Sequence, residues 1–270
     1  MSENNLHIRR ISTGYPGRHI IEDLTLEPLQ PGQVLSLIGP NAAGKSTLLR
    51  ALAGLLPARG SVTLGDRELL TLSLAEHAHH ITYTPQDLPQ QIALTVLETV
   101  ISALQVLPER VSPKEAAARS LAVLERLGIT HLAMEGLDHL SGGQRQLASL
   151  AQALVRAPRV LLLDEPISAL DLHYQLRVMK LVQEVAREQN MIVLVVLHDL
   201  SIAARWSDRI VVLSHGKVVA QGTPTEAITP EVLAQVYQVQ ARVEYCSQGS
   251  FSVLVDDILM PPTPGQTPSP

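Results

Sequence analysis

The fold of this chain is decided by nine consecutive residues: Gly39-Pro40-Asn41-Ala42-Ala43-Gly44-Lys45-Ser46-Thr47. They follow the pattern of glycine, four residues, then glycine, lysine and serine, and they come directly after an apolar run at 34–38 that predicts a buried strand. The two glycines let the backbone turn so that successive N–H groups face one oxyanion, and the positive end of the next helix adds attraction. We therefore predict a phosphate-binding loop between a strand and a helix.

The side chains that end this loop suit a nucleoside triphosphate and its metal ion. Lys45 supplies a point charge for the β- and γ-phosphates, and Ser46 offers its hydroxyl to Mg²⁺. Thr47 is placed to bind phosphate nearby. The alternative is a glycine-containing turn with a surface lysine, and the motif in its context favours the phosphate site.

Length and charge limit the other possibilities. The 270 residues suit one large domain, or one domain with a subdomain, and the formal net charge of −5 gives no support to nucleic-acid binding. The single cysteine, Cys246, has no partner for a disulfide and fits a reducing compartment as a half-buried strand residue. Residues 1–5 lack the apolar core of a signal peptide, and the longest apolar run, 191–197, is far short of the roughly twenty residues of a membrane helix. We expect a cytosolic protein.

Hydrophobic patterns predict a strand-and-helix core that a helical insert interrupts. The insert is rich in alanine and leucine and extends from about 96 to 155, with a capping box at Ser112–Glu115 and a helix end at Gly128. The runs 160–163 and 191–197 are typical of parallel strands covered on both faces, with a helix at 174–189 between them. Other expected strands and hairpins are 6–11, 20–27, 61–64, 81–84, 209–213 with 218–220, and 242–245 with 251–255.

Two adjacent acids, Asp164 and Glu165, end the apolar strand at 160–163. Neighbouring side chains at a strand end point in different directions, so Asp164 can hold Mg²⁺ through water while Glu165 serves as base for a water that attacks the γ-phosphate. Many strands end in a solvated Asp-Glu turn, and only the neighbouring motifs favour the catalytic interpretation.

The stretch Leu140-Ser141-Gly142-Gly143-Gln144 predicts a second phosphate receptor. Serine is a natural N-cap, and the glycines expose backbone N–H groups at the start of a helix over 145–155. One nucleotide does not need two such receptors from the same subunit, so we infer that each subunit offers one to its twin across a two-fold axis. A glycine-rich helix cap without a ligand is the alternative.

These motifs, in this order, resemble those of the ATP-binding subunit of ABC transporters over roughly residues 5–235. The resemblance implies an ATPase that uses ATP and Mg²⁺. It also implies these roles: Gly39–Thr47 as the Walker A loop, Gln86 as the Q-loop residue that touches Mg²⁺ and senses the membrane subunit, Leu140–Gln144 as the signature motif, Asp164 and Glu165 as Walker B with its catalytic glutamate, Ser168–Asp171 as the D-loop with Asp171 near the nucleotide, and His198 as the switch histidine.

The fold implied by this resemblance is an α/β P-loop ATPase core with a mixed sheet, an N-terminal antiparallel β subdomain and an inserted α-helical subdomain. The corresponding domains are an ATP-binding domain at 1–240 with the helical insert at about 87–157, a C-terminal β-hairpin at 241–260 and a disordered proline-rich tail at 261–270.

Several single residues extend or depart from the family pattern. Tyr15 lies where the family places an aromatic that stacks on adenine, although a tyrosine packed on the sheet is the competing explanation. Ala42 replaces a frequent glycine and Ile167 a frequent threonine, and we expect little effect from either. The histidines at 77, 79 and 80 lack a recognised metal spacing and are expected in a solvated loop.

The resemblance also implies partners and a place in the cell. We expect a second copy of the chain, a separate permease in the inner membrane with this subunit on its cytoplasmic face, and indirectly a substrate-binding protein. Features at 87–100 and 229–239 resemble the importer subfamily for iron-siderophores, haem and vitamin B12, with iron-siderophore uptake ranked first. Leu88, Ile92 and Leu94 are candidates for the permease groove or for plain subdomain core.

Three other classes are disfavoured. A DNA-acting relative would insert a long coiled coil after Walker A, and the insert of this sequence is too short for one. A translation factor would carry two cassettes, and only one is present in this sequence. A purely regulatory module would be expected to lack Glu165 or His198, and both are present.

Overall fold

The computed structural model describes residues 4–86, 94–105, 111–245, 247 and 251–259. Its strands are β1 Leu6–Tyr15, β2 Arg18–Leu24, β3 Val34–Ile38, β4 Ala58–Leu64, β5 Arg67–Glu68, β6 Ile81–Thr84, β7 Val160–Asp164, β8 Ile192–Val196, β9 Arg209–Ser214, β10 Lys217–Gly222, β11 Val239–Tyr245 and β12 Phe251–Ile258. Its α-helices are α1 Lys45–Leu52, α2 Leu74–Ala78, α3 Val96–Leu104, α4 Pro113–Leu127, α5 Gly142–Val155, α6 Leu172–Glu188, α7 Leu200–Trp206, α8 Pro224–Ala227 and α9 Pro230–Tyr237.

The central sheet has the strand order β10-β9-β3-β8-β7-β6. Strands β9, β3, β8, β7 and β6 are parallel, and β10 returns antiparallel to β9 through the predicted hairpin at 215–216. Every residue of β7 and β8 is buried because the sheet is covered on both faces. Along β7, Leu161 and Leu163 belong to one hydrophobic cluster and Val160 and Leu162 to the other. The mixed sheet expected from the sequence is confirmed.

A second sheet is antiparallel, with the order β2-β1-β4-β5. Strand β1 is longer than the predicted 6–11, because the polar residues 12–14 keep pairing with β2 although they break the apolar alternation. Its register shifts at this point, and Arg10 and Asp23 both have φ of 52°. As a result Tyr15 ends the strand directly before a tight turn.

Helices α3, α4 and α5 lie between β6 and β7 in the sequence, pack on one another and form the expected helical insert. Each contributes fully buried apolar side chains, such as Val100, Leu124 and Leu147. Ser112 caps α4 by accepting a hydrogen bond from the Glu115 N–H, but the reciprocal bond of the predicted capping box is not formed, because the Glu115 carboxylate pairs with Arg119. Gly128 ends α4 with φ of 74°, as predicted.

Strands β11 and β12 form an antiparallel hairpin that packs on α7 and α9. It is longer than the predicted segments 242–245 and 251–255, because the pairing continues through Val239 and Ile258. Cys246 and the tail at 261–270 lie outside the described residues. Over the part of the chain that is described, we find no helix that is both long and apolar enough to cross a membrane.

Candidate active site

The ends of four neighbouring strands carry the predicted chemical groups. The loop at 39–47 follows β3, His198 comes shortly after β8, Asp164 ends β7 and Gln86 follows β6. Because β3, β8, β7 and β6 are parallel neighbours, their carboxyl ends meet at one edge of the sheet. Groups that are far apart in the sequence therefore converge.

The phosphate-binding loop needs glycine for steric reasons that differ between its two ends. A Cβ on Gly39 would lie 2.0 Å from the backbone oxygen of Leu213, and Gly44, which precedes α1, has φ of 103°. Ala42 is exposed and has φ of 62°. A left-handed alanine costs about 1 kcal/mol, so Ala42 bears strain that we did not expect from the sequence.

Lys45 is buried, with 5% of its surface exposed, and its ammonium group folds back on the loop. Nζ donates hydrogen bonds to the carbonyl oxygens of Gly39 and Pro40 at 2.7 and 2.9 Å. Burial lowers the pKa of Lys45, and the nearby carboxylates of Glu165 and Asp164 oppose that shift. The cation is thus held inside the loop, where the oxygen atoms of a bound phosphate could replace the two carbonyls.

Asp164 is almost completely buried, with 1% exposed, and both of its carboxylate oxygens accept a hydroxyl hydrogen bond. Ser46 donates to Oδ1 at 2.9 Å and Tyr83 donates to Oδ2 at 3.0 Å. Burial raises the pKa of Asp164, while the bonds from Ser46 and Tyr83 lower it. Oxygen donors of this kind suit Mg²⁺, so the pair of Ser46 and Asp164 fits the predicted metal site.

Glu165 points away from Asp164, as expected for adjacent residues at a strand end. Its carboxylate accepts a hydrogen bond from Nε2 of Gln86 at 2.8 Å, and its Oε1 lies 2.5 Å from Nε2 of His198. The three residues predicted for catalysis beside Lys45 therefore form one contiguous group. Gln86 contacts Glu165 and not the metal-binding pair in this arrangement.

Arg50 and Tyr83, which we did not single out from the sequence, connect Tyr15, the residue expected to stack on adenine, with the metal-binding pair. Arg50, on α1, donates to the hydroxyl of Tyr15 at 3.2 Å and to that of Tyr83 at 3.4 Å. The hydrogen bond with Tyr83 is the main reason why the pKa of Arg50 is raised, and burial raises the pKa of Tyr83 to about 12. Tyr15 remains 41% exposed. A hint was the position of Tyr83 on β6, three residues before Gln86.

The start of α5 is built as predicted but stands apart from the phosphate-binding loop. Ser141 accepts a hydrogen bond from the Gln144 N–H, and the Gln144 side chain accepts one from the Ser141 N–H. Gly142 has open space where a Cβ would be. A cavity of about 470 Å³ lies over this helix start and is lined by residues 141–144 and Asp171, without any residue of 39–47. Asp171 also caps α6 by accepting from the Tyr174 N–H.

His77 contradicts the expectation of a solvated histidine loop. It lies on α2 and is 3% exposed, packed against Gly54 beyond the end of α1. Burial lowers its pKa, as does the neighbouring His80. The capping box formed by Ser73 and Glu76 makes this segment helical, which turns one histidine inward.

Comparisons with known proteins agree with this geometry. A family model described as ABC transporter matches residues 22–168. The hemin import ATP-binding protein HmuV of Bordetella pertussis is 39% identical over 249 residues, which cover 88% of this chain and 94% of that protein.

Solved structures point the same way. An inward-facing conformation of a metal-chelate type ABC transporter has a TM-score of 0.78 and 25% identity, covering 94% of this chain and 98% of that chain. A dimeric ATP-binding cassette in a post-hydrolysis state, bound to ADP and Pi, has a TM-score of 0.74 and 25% identity, covering 81% of this chain and 98% of that chain.

Proposed function

The chain belongs to the ABC transporter family, as an ABC-type ATPase, and we propose that it energises an importer for an iron-bearing chelate. The observation that carries ATP hydrolysis is the convergence at one sheet edge of a phosphate-binding loop, a metal-binding pair and a carboxylate with two polar partners, while the importer and its cargo rest on the similar proteins. A nucleotide-binding module without catalysis does not need the last of these three.

Different residues of the site would bind the nucleotide, hold the metal ion and activate the water. The loop at 39–47 and Lys45 would bind the phosphates, Tyr15 would stack on the base, and Ser46 with Asp164 would hold Mg²⁺, which neutralises phosphate charge when bound. Glu165 would accept a proton from the attacking water at its Oε1, and His198 would hold that water in place.

A second copy of the chain would complete each site. The helix start at Ser141–Gln144 and Asp171 line a cavity of their own, so they are available to a nucleotide that another subunit holds. The similarity to a dimeric cassette bound to ADP and Pi supports this arrangement. Two copies would close around two ATP molecules and open again when hydrolysis removes the γ-phosphate.

The permease would bind beside Gln86, between the helical insert and the central sheet. A cavity of about 290 Å³ lies there, and Thr82, Leu137 and Arg145 are among its lining residues. Leu94 is 38% exposed, whereas Leu88 and Ile92 lie outside the described residues. This contact would place the subunit at the cytoplasmic face of the inner membrane.

Haem is the cargo to test first, because a relative that is 39% identical and covers 88% of this chain is a hemin import protein. An iron-siderophore, which the sequence features ranked first, is the second candidate, and the similarity to a metal-chelate type transporter supports it. Vitamin B12 is the third. The cargo would be selected by a substrate-binding protein and the permease, so residues of this chain do not distinguish the three.

The decisive test of catalysis is Glu165→Gln. This variant should lower ATP hydrolysis by about 1,000-fold, because a general base is lost together with a positioned carboxylate. ATP binding should persist, and size-exclusion chromatography with ATP and Mg²⁺ should show a trapped dimer. Glu115→Gln on α4 removes an exposed carboxylate away from the site and is the matched control. A Glu165→Gln monomer that still hydrolyses ATP would refute the mechanism.

The test of transport is purification of the chain in mild detergent from its native membrane. We expect a polytopic permease to accompany it, and ATP hydrolysis to rise when a haem-loaded binding protein is added. If only a siderophore-loaded binding protein stimulates ATP hydrolysis, the cargo would be an iron-siderophore and not haem. Recovery of the ATPase without any permease would favour a soluble regulatory ABC-type ATPase and remove the transport assignment.

A further inference from the structure

Gln146 is a buried polar residue on α5, two positions beyond the signature glutamine, and it is 8% exposed. Its Nε2 donates a hydrogen bond to the backbone oxygen of Glu165 at 2.7 Å. Its Oε1 accepts a hydrogen bond from the backbone N–H of Ala169 at 3.2 Å. One side chain thus connects the signature helix with the candidate catalytic residue and with the loop that follows it.

The backbone of Glu165 needs such support. Its φ is 53°, a left-handed conformation that is unfavourable for a residue other than glycine. The carbonyl oxygen of Glu165 also accepts from the N–H and the hydroxyl of Ser168, at 3.3 and 3.1 Å. Donors that converge on this oxygen hold the peptide plane, and the peptide plane sets the direction in which the carboxylate leaves the strand.

We propose that Gln146 is a positioning residue that keeps the Glu165 carboxylate directed at His198 and Gln86, and that it couples the signature helix to hydrolysis. The inference rests on the proposed function, since it assigns a consequence to a nucleotide at the signature helix. In the closed dimer, α5 would contact the nucleotide of the second copy, while Glu165 serves the nucleotide of its own chain. Gln146 then relates the occupancy of one site to the geometry of the other.

The simpler alternative is that Gln146 only stabilises the loop at 166–171. Gln175 on α6 offers the comparison, because its Nε2 donates to the backbone oxygens of Ile167 and Leu170 at 3.3 and 3.0 Å without a hydrogen bond to Glu165. If loop stabilisation were the whole role, loss of either glutamine would have a similar effect. If Glu165 is positioned by Gln146, the two effects differ.

The test compares three variants of the full-length chain with the native chain in steady-state ATP hydrolysis. Gln146→Met keeps the length and removes every hydrogen bond of the side-chain amide, including a long one to the Ser168 hydroxyl at 3.5 Å. Gln146→Glu keeps the acceptor for Ala169 and removes the donor to Glu165, and Gln175→Met loosens only the loop. Both Gln146 variants should lower kcat by about tenfold or more, with KM for ATP within about twofold, whereas Gln175→Met should lower kcat by less than about threefold.

A double variant separates positioning from general loss of structure. In a Glu165→Gln background, Gln146→Met should leave the residual rate within about twofold, because the group that it positions is already gone. Four outcomes would overturn the inference. They are a further tenfold loss of rate in the Glu165→Gln background, a native kcat in folded Gln146→Glu, equal losses of kcat for the Gln146 and Gln175 variants, and failure of both Gln146 variants to fold. If the native chain itself does not hydrolyse ATP, both the proposed function and this inference are refuted. If the native chain hydrolyses ATP, the results for the variants test only the inference.

Discussion

Helices α1 and α5 both begin with glycines that expose backbone N–H groups, yet one start is closed and the other is open. The start of α1 is buried, with the Lys45 ammonium folded on loop carbonyls and no room for a side chain at Gly39. The start of α5 is exposed at Ser141 and Gly142 and borders a cavity. The same local device would therefore serve a ligand held within one chain in the first case and a ligand that a second copy brings in the second, as proposed above.

The two helix starts differ in how far each is organised without a ligand. At the closed start the cation already lies at the loop before a nucleotide binds, because Lys45 donates to the carbonyl oxygens of Gly39 and Pro40. An open start would gain its function only when another surface approaches, so we expect changes of its residues to have less effect on the folded chain. Three measurements test this contrast, and a fourth tests the contribution of His77.

The largest expected effect is on folding. Gly39→Ala should lower the free energy of unfolding by about 4 kcal/mol, because the added Cβ meets the Leu213 backbone and φ is 145°. Gly142→Ala, which meets open space, should change it by less than about 0.5 kcal/mol. Urea denaturation of both variants measures the difference. Equal stabilities would remove the distinction between closed and open starts.

The next effect is on nucleotide affinity. Lys45→Met should weaken ATP binding by about 100-fold, or about 2.7 kcal/mol, since several charge-assisted hydrogen bonds to phosphate are lost. Ser141→Ala should leave the affinity of the dilute, monomeric chain within about twofold, because this serine would serve the other subunit's nucleotide. Isothermal titration with a non-hydrolysable ATP analogue gives both values. A large loss for Ser141→Ala in a monomer would contradict the two-fold arrangement.

A smaller effect distinguishes the two signature glycines. A Cβ on Gly143 would lie 2.8 Å from the backbone oxygen of Ala169, so Gly143→Ala should cost about 1 to 2 kcal/mol of stability. Gly142→Ala should retain stability and lose hydrolysis, if phosphate approaches its backbone closely. Thermal unfolding and ATPase assays on the same preparations check this. Gly142→Ala with native activity would argue against a ligand at this helix start.

The smallest effect concerns His77, which supports the far end of α1. Burial lowers its folded pKa below the ordinary value of 6.5, so the unfolded chain takes up a proton more readily, and stability falls as pH drops through 6.5. His77→Gln should reduce the loss of unfolding free energy between pH 7.5 and 5.5 by up to about 1 kcal/mol. Urea titrations at several pH values measure the slope. A slope identical to that of the native chain would exclude His77 as its source.

Much of the architecture followed from local patterns. The uninterrupted apolar runs predicted β7 and β8, the serine of the signature stretch predicted the cap of α5, and Gly128 predicted the end of α4. These features depend on periodicity, capping chemistry and allowed φ values, which neighbouring residues in the chain decide. The extension of β1 to Tyr15 was missed, because cross-strand pairing with β2 outweighs its polar composition.

The chemistry of the site shows the same limit. Motif spacing identified Lys45, Asp164 and Glu165, but not that Tyr83 donates to Asp164 or that Gln146 holds the Glu165 carbonyl. Such contacts join residues from different strands and helices, and no periodic signal encodes them.

The amino-acid sequence supplied the residue types for the chemistry, and its short-range backbone preferences specified the kind of loop and the order of strands and helices along the chain. The packed fold was needed to show that β3, β8, β7 and β6 lie side by side, that His77 turns inward and that the signature helix stands apart from the phosphate-binding loop. The reason is that strand neighbours and buried faces are selected by the packing of the whole core, in which every long-range contact competes with the others.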